Sequence, residues 1–330
     1  MNKKKNIIVF GGAGFVGSHL CEELVKNNQV FCVDNFKTSS MENIRYLLQN
    51  HNFVFIKHDI NEVLDLERQP ELKRFNIKVS GISEVYNLAC PTSAKNFDEF
   101  VLDTVLSNSQ GIKNILDLVL KYETKLLHVS SAVVYGSRQS KEAVNEENLG
   151  QVDFLSPRAC YDEGKRFAET LITTYGRYHK KDFKIARLFR TYGPRMMLRD
   201  GQMVPDFILD ALDDKDLIIF GDKRFETSLL YVSDAVSGLT KLMELEVGGA
   251  FNLGDAEAIS LTKVAETIIK MAESKSKIVY KDPLIFMTPL CIPDISKAKD
   301  ELGWFPLTKL EDGLYKTLEY TKANKQLLSS

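Results

Sequence analysis

Tyr161 and Lys165 stand four residues apart, a spacing that puts a phenol and an ammonium on one face of a helix. An ammonium near a phenol favours the phenolate and makes the tyrosine usable as a base near neutral pH. Ser131, in the Ser130-Ser131 pair that ends a strand, is placed to hydrogen-bond both that phenol and a substrate hydroxyl. In a lysine-rich chain a lone Y-x-x-x-K means little. Its position gives it weight, after the fifth strand of an alternating pattern that opens on a glycine turn.

That turn follows a β-branched strand over 7–10 and feeds an amphipathic helix, with Phe15, Leu20 and Leu24 inward and Glu22, Glu23 and Lys26 outward. The glycines read G-x-x-G-x-x-G. Gly11 permits the tight turn, Gly14 lets backbone N–H groups approach a pyrophosphate, and Gly17 lets the helix pack close on the strand. The helix N-terminus adds partial positive charge. A second strand over 30–33 ends in Asp34, where a carboxylate meets adenosine ribose hydroxyls. Dinucleotide binding follows. Asp34 repels a 2′-phosphate and favours NAD over NADP, while Lys37 nearby leaves NADP open. Asp59, at the end of a third strand over 53–57, reads equally as a partner for the adenine amino group or as a helix cap. Ala89-Cys90-Pro91, after a fourth strand over 84–88, are small residues where a nicotinamide ribose fits close to backbone.

The rest of the chain must position these groups. Helices are expected over 41–49, 62–75 and 97–122 and from about Tyr161, with strands over 125–129 and 184–188. The alternation predicts an α/β fold: a Rossmann-type doubly wound parallel sheet over 1–190, covered on both faces. Short strands over 217–220, 251–253 and 278–280 among helices over 204–212, 234–245 and 261–272 predict a smaller C-terminal α/β substrate lobe over 191–330. The chain is expected to cross back to the large domain near 230–260. Net charge is −2 with mixed signs, so no nucleic-acid partner is expected, and no stretch is apolar and long enough for a membrane span. Residues 1–5 read as a solvated tail. Five scattered cysteines without C-x-x-C spacing indicate reduced thiols and a cytoplasmic protein, and five histidines without ligand spacing indicate no metal.

The segments GGAGFVGSHLCEEL (11–24), VDNFKT (33–38), HDI (58–60), NLACPTS (87–93), SPRACYDEGKR (156–166), TYGPRM (191–196), YVSDAV (231–236), FNLGD (251–255), PDISKAK (293–299) and LGW (302–304) run nearly end to end. On them the chain resembles the extended short-chain dehydrogenases/reductases of nucleotide sugars, and within these the UDP-glucuronate decarboxylases. The resemblance implies tightly held NAD, contacted by Gly14, Phe15, Val16, Asp34, Asn35, Thr38, Asp59, Ile60, Leu88, Cys90, Tyr161, Lys165 and Thr191, with Gly11, Ala89 and Ser107 beside them. It places Pro91, Ser131, Val133, Arg190, Arg195 and Thr227 around a nucleoside-diphosphate sugar. It implies that Tyr161 removes the sugar C4 hydroxyl proton while hydride passes to the nicotinamide. It also implies a homodimer joined by a four-helix bundle, which the stripe Phe97, Val101, Val105, Ile112, Ile115, Leu116 and Val119 suits together with the Tyr161 helix.

The departures decide the reading. Decarboxylases of this kind carry a Glu and an Arg where this chain has Val133 and Thr227. Val forms no hydrogen bond, and Thr cannot make the bidentate pair with a carboxylate that Arg makes. Lys223 or Arg224 is a neighbouring cation that would replace the Arg, although the Glu is gone as well. Arg190 replaces an Asn and Leu106 a Lys. Arg190 is read as a contact to a diphosphate, a base or a keto-acid co-substrate that reoxidises NADH, or as one half of a structural ion pair. The expected activity is oxidation of a nucleotide-sugar C4 hydroxyl to a 4-keto sugar. The Lys-, Asn- and Ile-rich composition resembles that of low-GC bacteria. Bacterial capsule pathways similar in kind oxidise GDP-activated heptoses at C4, and that resemblance implies GDP-manno-heptose, in capsule or surface polysaccharide synthesis, as the substrate. A C4 epimerase, a UDP-glucuronate decarboxylase and a non-catalytic NAD sensor are the alternatives.

Overall fold

The first strand, β1 (Asn6–Phe10), is apolar from Ile7 to Phe10 and buried at every residue, as suits a central parallel strand. Its side chains alternate between two cores: Ile7 and Val9 pack with Leu20, Leu239 and Trp304 on one face of the sheet. Ile8 and Phe10 pack with Ile112, Leu116 and Ile172 on the other. The computed structural model describes residues 4–92, 97–221, 225–283 and 289–328. Around β1 stand β2 (Gln29–Asp34), β3 (Phe53–Lys57), β4 (Glu84–Asn87), β5 (Lys125–Ser131) and β6 (Lys184–Leu188). With the strand Gly249–Leu253 they form one parallel seven-stranded sheet, ordered Gly249–Leu253, β6, β5, β4, β1, β2, β3. The order reverses between β1 and β4, and the crevice at that point of a Rossmann-type sheet is where ligands bind.

The sequence groups 251–253 with the short strands of the C-terminal lobe and also expects a return to the large domain near 230–260; Gly249–Leu253 pairs in parallel register with β6 and forms the sheet edge. The helix before it, Val232–Glu244, packs on the same sheet, and Trp304 Nε1 donates to the Asp234 carbonyl at 3.1 Å. A third core gathers the helices Met203–Leu212, Leu261–Met271 and Leu310–Leu328. Beside them the strand Leu217–Phe220 pairs in parallel with Ile278–Lys281.

Two expected helices are absent. Residues 41–49 and 62–75 form short 3₁₀ turns: Met41–Asn43, Arg45–Leu47, Leu66–Arg68 and Pro70–Phe75. Ser40 and Asp65 accept the N–H groups of Glu42 and Glu67, local bonds that compete with a helical ladder. The helix expected over 97–122 forms as Val101–Leu106 and Ile112–Lys121, joined by a π-helical turn at Ser107–Gly111. Ser107, Asn108 and Ser109 each donate a side-chain hydrogen bond to the carbonyl four residues back. These bonds crowd the acceptors of the normal ladder and mark the place where it loosens.

One buried network ties β5 and β6 to the loops above them. Glu169 accepts from Ser130 Oγ at 2.6 Å and from Arg187 Nη2 at 2.8 Å. Arg187 also donates to Tyr135 Oη, whose own proton goes to Asn252 Oδ1 at 2.7 Å. Glu169→Ala strands a largely buried guanidinium. It is expected to cost about 3 kcal/mol in urea unfolding, and adding Arg187→Met is expected to recover most of that loss.

His19, on the helix α1 (Phe15–Leu24), is enclosed against the Pro194 carbonyl at 3.0 Å. Burial, then Arg195, brings its pKa down to about 4. Between that value and the ordinary 6.5 the unfolded chain binds the proton and the folded chain does not, so stability falls as pH drops through this window. The loss is expected to reach about 3 kcal/mol by pH 4, measured as the difference between parent and His19→Gln unfolding curves.

Candidate active site

The carboxyl ends of the strands open into one cavity of about 1330 Å³. Its floor is the glycine turn. Gly11 has φ +73°, and a Cβ there would meet the Ala89 nitrogen at 2.7 Å. A Cβ at Gly17 would lie 2.1 Å from the Gly11 carbonyl oxygen, so only glycine lets α1 come this close to β1. Gly14 caps α1 with no side-chain bond, and the first turn of the helix holds no acid. The N–H groups at that end keep their partial positive charge for a pyrophosphate, so the residues present fit NAD.

Every residue expected from the sequence lines this cavity except Asp59 and Thr227. Asp59 turns aside, accepting from Asn35 Nδ2 at 3.0 Å and Asn61 N at 2.9 Å and pairing with Lys37 at 3.2 Å. In this arrangement the Asp59 side chain braces the loop after β2, between the cavity-lining residues His58 and Ile60. Thr227 is 1% exposed, paired with Ile259 in a two-stranded ladder away from the cavity wall. The position where decarboxylases carry their Arg is thus off the wall as well as neutral. Leu106 is 47% exposed on the outer side of its helix and does not line the cavity either. Lys223 and Arg224, considered as replacement cations, lie outside the described residues.

Asp34 does more than the sequence indicates. Its carboxylate accepts from Ala13 N at 3.0 Å, Phe36 N at 2.9 Å and Ser39 Oγ at 2.7 Å, which fastens the glycine turn to the loop after β2. A carboxylate offers about four acceptor positions, so one stays open toward the cavity. Lys37 pairs with both Asp59 and Asp103, the latter at 2.5 Å. That neutralises a cation near Asp34 that would otherwise attract a 2′-phosphate.

Tyr161 and Lys165 stand in the first turns of the helix Ala159–His179. Gly164 between them lets this helix approach the π turn, where a Cβ would meet Asn108 Nδ2 at 3.1 Å. Asn108 in turn donates to Cys90 Sγ at 3.2 Å, which ties the π turn to the end of β4. Burial, with the Cys90 thiol second, pushes the Tyr161 phenol well above its ordinary value, and the Ser131 hydroxyl and Arg158 draw it back. Lys165 is anchored on a strand carbonyl near the phenol. Its Nζ lies 5.9 Å from the Tyr161 ring centroid and donates to the Val129 carbonyl at 3.0 Å. Ser131 holds the turn Ala132–Tyr135 by accepting from Val133 N at 3.4 Å, so Val133 is fixed beside it in the wall.

The sequence reading missed Arg158, Asp103, Ser39 and the small-lobe residues Asp206, Phe220 and Lys325, all of which line the cavity. Arg158, three residues before Tyr161 on the same helix entrance, carried a signal in its spacing. The small-lobe residues did not, because no local pattern says which lobe face meets the sheet.

A family model for the NAD dependent epimerase/dehydratase family matches residues 7–254. UDP-glucuronic acid decarboxylase 1 of Xenopus tropicalis is 37% identical over 318 residues, covering 96% of this chain and 72% of that protein. Among solved structures, the UDP-glucuronic acid 4-epimerase of Bacillus cereus, in complex with UDP-glucuronic acid and NAD, is 29% identical with a TM-score of 0.84, covering 96% of this chain and 99% of that one. The UDP-glucose 4-epimerase of Thermotoga maritima, with UDP-glucose, is 26% identical with a TM-score of 0.84, covering 97% and 99%. Together with the glycine cradle and the Tyr161–Lys165 wall, these matches show that the chain belongs to the NAD-dependent epimerase/dehydratase family, whose members use NAD to modify nucleotide sugars.

Proposed function

We propose that the protein oxidises the C4 hydroxyl of a nucleoside-diphosphate sugar to a ketone. One observation carries this reading: Ser131, Tyr161 and Lys165 share the cavity wall, Val133 stands where a decarboxylase has its Glu, and Thr227 is off the wall. NAD, when bound, supplies the hydride acceptor. Tyr161 takes the hydroxyl proton, and Ser131 holds that hydroxyl and the phenol in line. Lys165, anchored on the Val129 carbonyl, keeps a positive charge near the ring as the phenolate forms. Proton removal by a positioned base of this kind is worth roughly 10²–10⁴ in rate.

The finer parts of the reading rest on the sequence. GDP-manno-heptose, in bacterial capsule or surface polysaccharide synthesis in the cytoplasm, is the proposed substrate, and a keto acid is the proposed oxidant of NADH. Homodimerisation is supported by apolar side chains left outside on two adjacent helices: Leu102 at 77%, Val105 at 44% and Leu106 at 47% exposed, with Phe167 at 50%. The inner half of the expected stripe, Ile112, Ile115, Leu116 and Val119, belongs to the sheet core instead.

Incubation of the NAD-loaded protein with UDP-, GDP-, CDP- and dTDP-sugars, read by mass spectrometry, tests the reaction. The expected product is lighter than its substrate by two hydrogens. An isomer of unchanged mass indicates epimerisation, and loss of carbon dioxide from UDP-glucuronate indicates decarboxylation; either contradicts the proposal. Tyr161→Phe is expected to lower the rate by about 10²-fold or more while NAD stays bound.

A further inference from the structure

Two guanidinium groups meet in the cavity wall next to Tyr161. Arg158 enters from the head of the Tyr161 helix, with its guanidinium carbon 5.4 Å from the phenol ring centroid and its Nε 3.1 Å from Asp162 Oδ1. Arg190 enters from the end of β6, and its Nε is buried with no hydrogen-bond partner among the described residues. Burial, then the charge of Arg158, lowers the Arg190 pKa to about 10, so it is still a cation at neutral pH. The two positive charges are thus close enough to repel, and among the described residues no carboxylate pairs with Arg190.

The other guanidinium and ammonium groups of the cavity contrast with this. Arg195 pairs with Glu22, Arg199 with Asp210, and Lys37 with Asp59 and Asp103. Lys215 and Lys325 share Asp213, and Lys165 is held by a carbonyl. A buried guanidinium without a counter-charge is costly, and proteins keep such groups where a ligand completes them. The planar fork of Arg matches two oxygens of a carboxylate or a phosphate, which the neutral amide of Asn at this position would not attract by charge.

We propose that Arg190, backed by Arg158, is an oxyanion subsite of the substrate pocket, filled by a phosphate or carboxylate group of a molecule bound against Tyr161. The proposal deepens the nucleotide-sugar reading, because either the diphosphate of the sugar nucleotide or the carboxylate of an acid would supply the same oxygens. In both cases the anion is what offsets the partial burial of Arg190 and its orphaned Nε. Its absence leaves the folded protein carrying a charge that a neutral side chain would relieve.

The test uses NAD-loaded protein, so that the glycine cradle is already filled, and reads binding by titration calorimetry with inorganic pyrophosphate in one arm and malonate in the other. The parent is expected to bind one of the two. Arg190→Gln is expected to weaken that binding at least tenfold, and Arg190→Lys to restore part of it, with NAD content unchanged. The anion that responds identifies the source as diphosphate or carboxylate. Thermal unfolding without added anion supplies a second readout: Arg190→Gln is expected to raise Tm by about 2 °C, because it removes an unmatched charge. A structural ion-pair role predicts the opposite. A lower Tm or failure to fold in Arg190→Gln, equal binding by parent and variant, or no binding of either anion by the parent overturns the proposal. None of these readouts needs turnover, so the subsite stands or falls separately from the C4 oxidation.

Discussion

Backbone contact between Gly17 and Gly11 governs where every other group of the site can stand. With 2.1 Å between the Gly11 carbonyl oxygen and any Cβ at position 17, a side chain there would push α1 off the sheet. Seated as it is, α1 aims an uncapped N-terminus into the crevice between β1 and β4. Asp34 then locks the turn from the other side through the Ala13 N–H. An uncapped helix end, the Asp34 carboxylate and the floor of the cavity thus come from one close approach.

The chemistry sits on the opposite wall and depends on a second fit. Gly164 lets the Tyr161 helix lean against the π turn, and Asn108 bridges that turn to Cys90 at the end of β4. Underneath, Glu169 and Arg187 bind the same helix to β5 and β6, so Ser131 at the end of β5 is fixed relative to the phenol. The residues proposed to react thus come from separate elements tied together by polar bonds. Such positioning is what the proposed oxidation of one particular hydroxyl requires.

Local spacing made much of this legible in advance. The parallel strands, the glycine turn, Asp34 and the Tyr161–Lys165 pair each follow from periodicity or from turn chemistry within a few residues. Partner choice was not legible. Nothing local to Asp59 indicates that Asn35, Asn61 and Lys37 gather on its carboxylate. Thr227 and Leu106 match family positions by alignment of motifs, but their exposure depends on tertiary packing that no motif encodes. The segments 41–49 and 62–75 look helical by composition, and short side-chain bonds to backbone N–H groups won locally. Lys165 shares a helix face with Tyr161 as the spacing requires, but its ammonium reaches past the phenol to a strand carbonyl.

These observations support the proposed site, which would take a hydride from one sugar carbon and the proton from its hydroxyl, with Val133 and Thr227 standing where decarboxylases carry Glu and Arg. The most direct test supplies a nucleotide sugar carrying deuterium at C4 and examines the nicotinamide released from the protein after one turnover. The account predicts one deuterium on C4 of the recovered NADH, together with an unlabelled 4-keto sugar. Unlabelled NADH, or a sugar that keeps its deuterium while losing carbon dioxide, would contradict it.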